Sequence, residues 1–136
     1  MHDMTKFYIN GEWVEPVIPN KMEVHNPSSD EVCGHISLGS AADVDKAVIA
    51  ANNAFSTFSA TTKKDRLELL QSILNILIER NEEIASAIME EMGAPWELAL
   101  NAQAESGPQQ FSAIIDVLKN FNFEEMVGTT CVAKEA

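Results

Sequence analysis

A chain of 136 residues, 46% hydrophobic and 22% charged, has room for one ordinary domain or one piece of something larger, and its composition is that of a folded rather than a disordered protein. A formal net charge of −12 excludes nucleic acid and anionic membranes as partners, because phosphate binding takes clustered Lys and Arg. Self-repulsion on that scale is eased by burial in a larger assembly.

Lys6-Phe7-Tyr8-Ile9, then Asn10-Gly11-Glu12, then Trp13-Val14 reads as a β-hairpin, since Asn-Gly supplies two positive φ angles at the turn. Pro16 and Pro19 make a loop, and residues 22–25 and 31–36 read as two further strands joined by Asn26-Pro27-Ser28-Ser29-Asp30. Ser40 with Asp43 forms a capping box that opens a helix carrying Val44, Ala47, Val48, Ala51, Ala54, Phe55 and Phe58.

The longest periodic run spans residues 63–92. Leu67, Leu70, Leu74, Leu77 and Ile78 share a helix face that Leu69, Ile73 and Ile76 widen, and Thr62 with Asp65 caps its start. A break is expected near Asn81, where Glu82 and Glu83 suit the positive end of a new helix bearing Ile84, Ala85, Ile88 and Met92. Gly93 and Pro95 stop it. Residues 96–104 read as helical, and Gly107-Pro108 either interrupts that helix or places Pro108 in the first turn of another, carrying Phe111, Ile114, Ile115 and Leu118. Residues 129–133 have strand composition. The fold class expected is therefore α+β: short N-terminal β-hairpins, three to five α-helices and a C-terminal strand.

The chemistry-bearing residues are sparse. Gly34 and Gly39 have the gap of a phosphate loop, but Ser40 and Ala41 follow where Lys and Ser or Thr belong, so a strand bulge and turn is the better reading. No G-x-G-x-x-G occurs. Cys33, His35 and His25 lack the fourth ligand of a zinc site. Cys33 and Cys131 have no metal or redox spacing and read as a reduced pair in the cytoplasm, with a disulfide in a secreted protein as the alternative. No signal-peptide pattern is found, and polar residues interrupt the most apolar run, residues 67–78, so no membrane span is expected. Glu90 and Glu91 point about 100° apart on a helix and do not form an acid/base pair. The motifs supply no catalytic residue.

The order of the motifs carries more than any one of them. Phe7-Tyr8-Ile9-Asn10-Gly11-Glu12-Trp13 resembles the opening of the NAD(P)-dependent aldehyde dehydrogenase superfamily, and Val24-His25-Asn26-Pro27-Ser28-Ser29-Asp30-Glu31-Val32 its N-P-x-T-G-E-x-[IV] segment. The run from Asp43-Val44-Asp45-Lys46-Ala47-Val48 through Ala54-Phe55 is similar to its first helix, and Arg66, Leu69-Leu70 and Leu77-Ile78-Glu79-Arg80-Asn81 to its second. Glu91-Met92-Gly93-Ala94-Pro95 resembles its E-x-G-[KA]-P stop. Ser29 and Asp30 depart from the usual Thr-Gly.

The resemblance implies an α/β parent fold in which residues 1–127 belong to the cofactor-binding domain and residues 128–136 begin a truncated oligomerisation arm. It implies NAD or NADP and an aldehyde substrate in the complete enzyme, and homo-oligomers. The family's nucleophilic cysteine, base, glycine loop and oxyanion segment would lie downstream, so this chain is expected to hold no catalytic or cofactor-binding residue and to bind no cofactor by itself. Two sets of positions carry over. A monovalent cation would be held by the carbonyl of Val24 or His25 and by Glu91, and the substrate tunnel would be lined around Ala102 and Ser106.

The alternative is an acidic, mostly helical binding or assembly module without catalysis. The strand-like end favours the enzyme segment, since a finished domain rarely stops in an unpaired strand. The uncovered stripe of Leu67, Leu70, Leu74 and Leu77, with that strand edge, predicts self-association.

Overall fold

Local chemistry sets most of the boundaries in the computed structural model, which describes residues 2–134. Strand β1 (His2–Met4) leads into the hairpin β2 (Phe7–Ile9) and β3 (Glu12–Val14). Its turn residues Asn10 and Gly11 have φ of 54° and 82°, the positive values that a two-residue turn needs. Across it the Tyr8 and Trp13 rings meet with centroids 5.2 Å apart.

Strands β4 (Lys21–His25) and β5 (Val32–Ser37) pair antiparallel, and β1 adds to the far edge of β5 in parallel, in the order β1-β5-β4. Val24 opposes Gly34 while His25 opposes Val32, so Cys33 is the extra residue of a bulge. Its thiol donates to the Val24 carbonyl at 3.3 Å. The β4–β5 turn is closed by the Ser28 amide donating to Asn26 Oδ1 at 2.9 Å and the Asp30 amide to the Asn26 carbonyl at 2.8 Å. Asp30 takes φ of 59°, a left-handed position that aspartate tolerates better than most residues.

Helix α1 (Ala41–Phe58) begins at the Ser40 box. Asp43 Oδ2 accepts from the Ser40 amide at 2.9 Å and hydroxyl at 2.6 Å, and Oδ1 accepts from the Val17 amide at 2.9 Å. The Ser40 hydroxyl and these amides hold the Asp43 carboxyl below its usual range, and they pin the loop after β3 to the helix. Helix α2 (Lys63–Glu79) starts on the same device, Thr62 with Asp65. The expected break falls at Arg80, with φ −101° and ψ 18°, and α3 (Asn81–Met92) ends at Gly93 with φ of 66°. One turn, α4 (Trp96–Leu98), runs into a π-helical turn, Ala99–Ala104, where a regular helix was expected. Helix α5 (Ser106–Asn120) follows, with Pro108 in its first turn.

The core is small. Ala85, Ala99 and Ala104 are buried between α3 and the π-helical turn, where the lack of side-chain bulk lets the backbones approach, and Ile84, Ile88 and Leu100 flank them. Leu74 and Ile115 form the second buried centre, between α2 and α5. Lys63 Nζ ties the two helices by donating to the carbonyls of Lys119 at 2.7 Å and Phe121 at 3.0 Å.

Two expectations are corrected. The leucine stripe of α2 is not bare: Leu74 is buried and Leu67, Leu70 and Leu77 half-buried, because α5 lies on that face. Bare apolar residues are frequent on α1, among them Val48, Phe55 and Phe58, and on the other sides of α2, where Leu69, Ile76 and Ile78 are exposed. Nor is the last strand unpaired. Strand β6 (Glu124–Val127) turns at Gly128, φ 63°, into β7 (Thr130–Ala133) and pairs with it antiparallel. This hairpin straddles the expected boundary after residue 127.

Candidate functional site

The end of α3 approaches the β4–β5 turn closely, and a concavity lies between α3 and the sheet. An added Cβ on Gly93 would lie 2.9 Å from Pro27 Cγ and 2.8 Å from Ser28 Oγ, so only glycine admits the turn this near the helix end. The clamp leaves a cleft of about 540 Å³ between the sheet and α3. Val24, Cys33 and Ile36 line its sheet wall, and Arg80, Ile84 and Glu91 its helix wall.

Val24 and Glu91, 67 residues apart in sequence, thus share one cleft. The Val24 carbonyl accepts the Cys33 thiol. His25 does not line the cleft. Its Nδ1 lies 3.4 Å from the Asp30 carbonyl and its Nε2 3.4 Å from Glu23 Oε2. Glu83, Glu90 and Glu91 on the helix wall outnumber Arg80, so the lining favours a cation over an anion. Arg80 is held by Glu83 at 2.7 Å, and that hydrogen bond and charge raise the guanidinium above its usual value and lower the Glu83 carboxyl. Among the described residues no group of three or more His, Cys, Asp and Glu side chains is placed to hold a metal ion. A site built on main-chain oxygens is a different arrangement, suited to a hard cation.

The residues expected at the substrate tunnel lie elsewhere. Ala102 is exposed on the π-helical turn, and Ser106, also exposed, donates through Oγ to the Gln103 carbonyl at 2.7 Å. Neither borders the cleft. Beside them is a second hollow of about 400 Å³, walled by Leu74, Asn81, Pro108 and Ser112. The sequence reading did not single out Arg80 or Ile36 as cleft residues. Arg80 was read only as part of the motif that resembles the family's second helix, and Ile36 only as a strand position.

A profile of the aldehyde dehydrogenase family matches residues 13–134. The chain belongs to the aldehyde dehydrogenase family. Similar relatives include a 3-succinoylsemialdehyde-pyridine dehydrogenase from a Pseudomonas species, 45% identical over 99% of this chain and 28% of the relative. A putative aldehyde dehydrogenase from Staphylococcus aureus (strain bovine RF122 / ET3-1) is also 45% identical, over all of this chain and 29% of the relative. Among solved structures, an aldehyde dehydrogenase from Bartonella henselae is 41% identical with a TM-score of 0.92, over 96% of this chain and 28% of that one. Aldehyde dehydrogenase C from Pseudomonas syringae, a mutant complexed with NAD+ and octanal, is 39% identical with a TM-score of 0.91, over 95% and 27%. The chain therefore spans under a third of these family members, and the part it matches is N-terminal.

Proposed function

We propose that this chain serves as the N-terminal part of the cofactor domain in an NAD(P)-dependent enzyme that oxidises an aldehyde to a carboxylic acid. The observation that carries the reading is the likeness to the Bartonella henselae enzyme along almost the whole chain, at 41% identity. NAD is the cofactor we favour, because a relative 39% identical to this chain is complexed with NAD+ and octanal. In the complete enzyme a cysteine thiolate would attack the aldehyde, NAD would supply the hydride acceptor, and an activated water would release the acid. We assign none of those groups to Cys33 or Cys131. The hairpin β6–β7 is our candidate for the contact between copies. Removing it should then lower the mass that light scattering reports for an assembled enzyme.

The test is a hybrid in which this chain replaces the matching segment of the Bartonella henselae enzyme. NADH formation with octanal and with shorter aldehydes should appear in the hybrid and be undetectable with the 136-residue chain alone. A well-folded hybrid without turnover, or turnover by the chain alone, would overturn the proposal.

Within the same reading, Val24 O and Glu91 hold a monovalent cation, as their place on one cleft supports. Glu91 lies in the last turn of α3, where a carboxylate opposes the helix dipole by about 0.3–1 kcal/mol unless a cation accepts it. Melting temperatures of the hybrid should differ between potassium and sodium, and Glu91→Gln should remove that difference. Equal melts in both salts for the parent hybrid would eliminate the cation.

A further inference from the structure

Hairpin β6–β7 stands on the helical body with little beneath it. Every residue of both strands is exposed, and the strands pack chiefly on each other. A two-stranded hairpin alone in water is marginally stable at best, so its base must be held from outside the ladder. At that base the Lys134 amide donates to the Phe123 carbonyl at 2.7 Å, and the Phe121 and Phe123 rings meet edge to face with centroids 4.9 Å apart. Lys134 Nζ lies 5.4 Å from the Phe121 ring centre and 3.3 Å from Glu125 Oε1. These contacts join the hairpin to Phe121. Phe121 is also where the chain leaves α5, with φ −75° and ψ 126°. The last carbonyls of a helix have no partner within it and favour a cation. Here the Phe121 amide donates to the Leu118 carbonyl at 3.3 Å, and Lys63 Nζ donates to those of Lys119 and Phe121 at 2.7 and 3.0 Å. One ammonium from the first turn of α2 thus grips the end of α5 and the residue that carries the hairpin. Its neighbour Lys64 is an ordinary surface lysine, 83% exposed and 3.6 Å from Glu68.

We propose that Lys63 is a clasp whose charge fixes the base of hairpin β6–β7 to the helical body, and that loss of the charge lets the hairpin open while α2 and α5 stay packed. The two helices keep Leu74 and Ile115 between them whether or not the clasp is closed.

Amide hydrogen exchange of the 136-residue chain is the test. Lys63→Met keeps the apolar stem and removes the charge and its donors. It should speed exchange across residues 124–133 by about tenfold or more, because charge-assisted hydrogen bonds are lost. Around Leu74 and Ile115 the change should stay below about threefold. Lys63→Arg restores donors and should return the hairpin to within about threefold of the parent, and Lys64→Met should be silent. The clasp is overturned if Lys63→Met leaves the hairpin unchanged or speeds the helices as much, if Lys63→Arg behaves like Lys63→Met, or if Lys64→Met acts as strongly. It is also overturned if the hairpin of the parent chain exchanges as fast as an unfolded segment. None of these outcomes depends on the aldehyde reading. In the hybrid enzyme, where β6–β7 is our candidate contact between copies, Lys63→Met should also lower the mass that light scattering reports. An unchanged mass beside a faster hairpin removes that contact and keeps the clasp.

Discussion

Gly93→Ala should destabilise the chain by about 2–5 kcal/mol in urea unfolding. Two costs combine. An L residue held at φ of 66° is strained by about 1–2 kcal/mol. The new Cβ would also stand 2.9 Å from Pro27 Cγ, and crowding of that kind costs about 1–3 kcal/mol. Ser28 Oγ, at 2.8 Å, can rotate away, but the proline ring cannot. Gly128→Ala is the control. That glycine has φ of 63° with open space around its missing Cβ, so only the conformational cost of about 1–2 kcal/mol applies. Because Gly93 sets the approach of α3 to the β4–β5 turn, any relief of the clash must move Glu91 relative to Val24. Equal losses for the two variants would show that the clamp does not exist.

What the sequence made legible is the chemistry that acts over three or four residues. The boxes at Ser40–Asp43 and Thr62–Asp65, the Asn10-Gly11 turn and the Gly93 stop are read from side chains that bond their own backbone. Pairings set by distant partners were not legible. Strand β1 pairs with β5 some 30 residues away, and His-Asp-Met lacks the β-branched or aromatic residues that mark a strand. Strand β6 begins Glu-Glu and takes its pairing from the turn at Gly128. The π-helical turn 99–104 has no local signature among its alanines and leucine. For the site, resemblance rather than residue chemistry pointed to Val24, His25 and Glu91. Which of the two β4 residues borders the cleft depends on strand orientation at the Cys33 bulge, which no sequence pattern announced.

Periodicity has the same limit on α2, and Leu74→Ala makes it measurable. It marks Leu74 and Ile78 alike as apolar positions of one helix, yet Leu74 is 9% exposed and Ile78 59%. The difference is set by α5, which runs back along α2 and is fastened at one end by Lys63 on the carbonyls of Lys119 and Phe121. Truncating a buried leucine to alanine costs about 2–5 kcal/mol, the lower figure where the site can relax. Leu74 borders a hollow of about 400 Å³ with Pro108 and Ser112, so neighbours can shift and water can enter. A loss of about 2–3 kcal/mol is therefore expected for Leu74→Ala. Ile78→Ala, which uncovers little, should fall within about 0.5 kcal/mol of the parent. Paired urea titrations of the two variants decide the matter. If Ile78→Ala costs as much as Leu74→Ala, α5 does not cover the leucine face of α2 in solution, and the stripe must bury itself against another body.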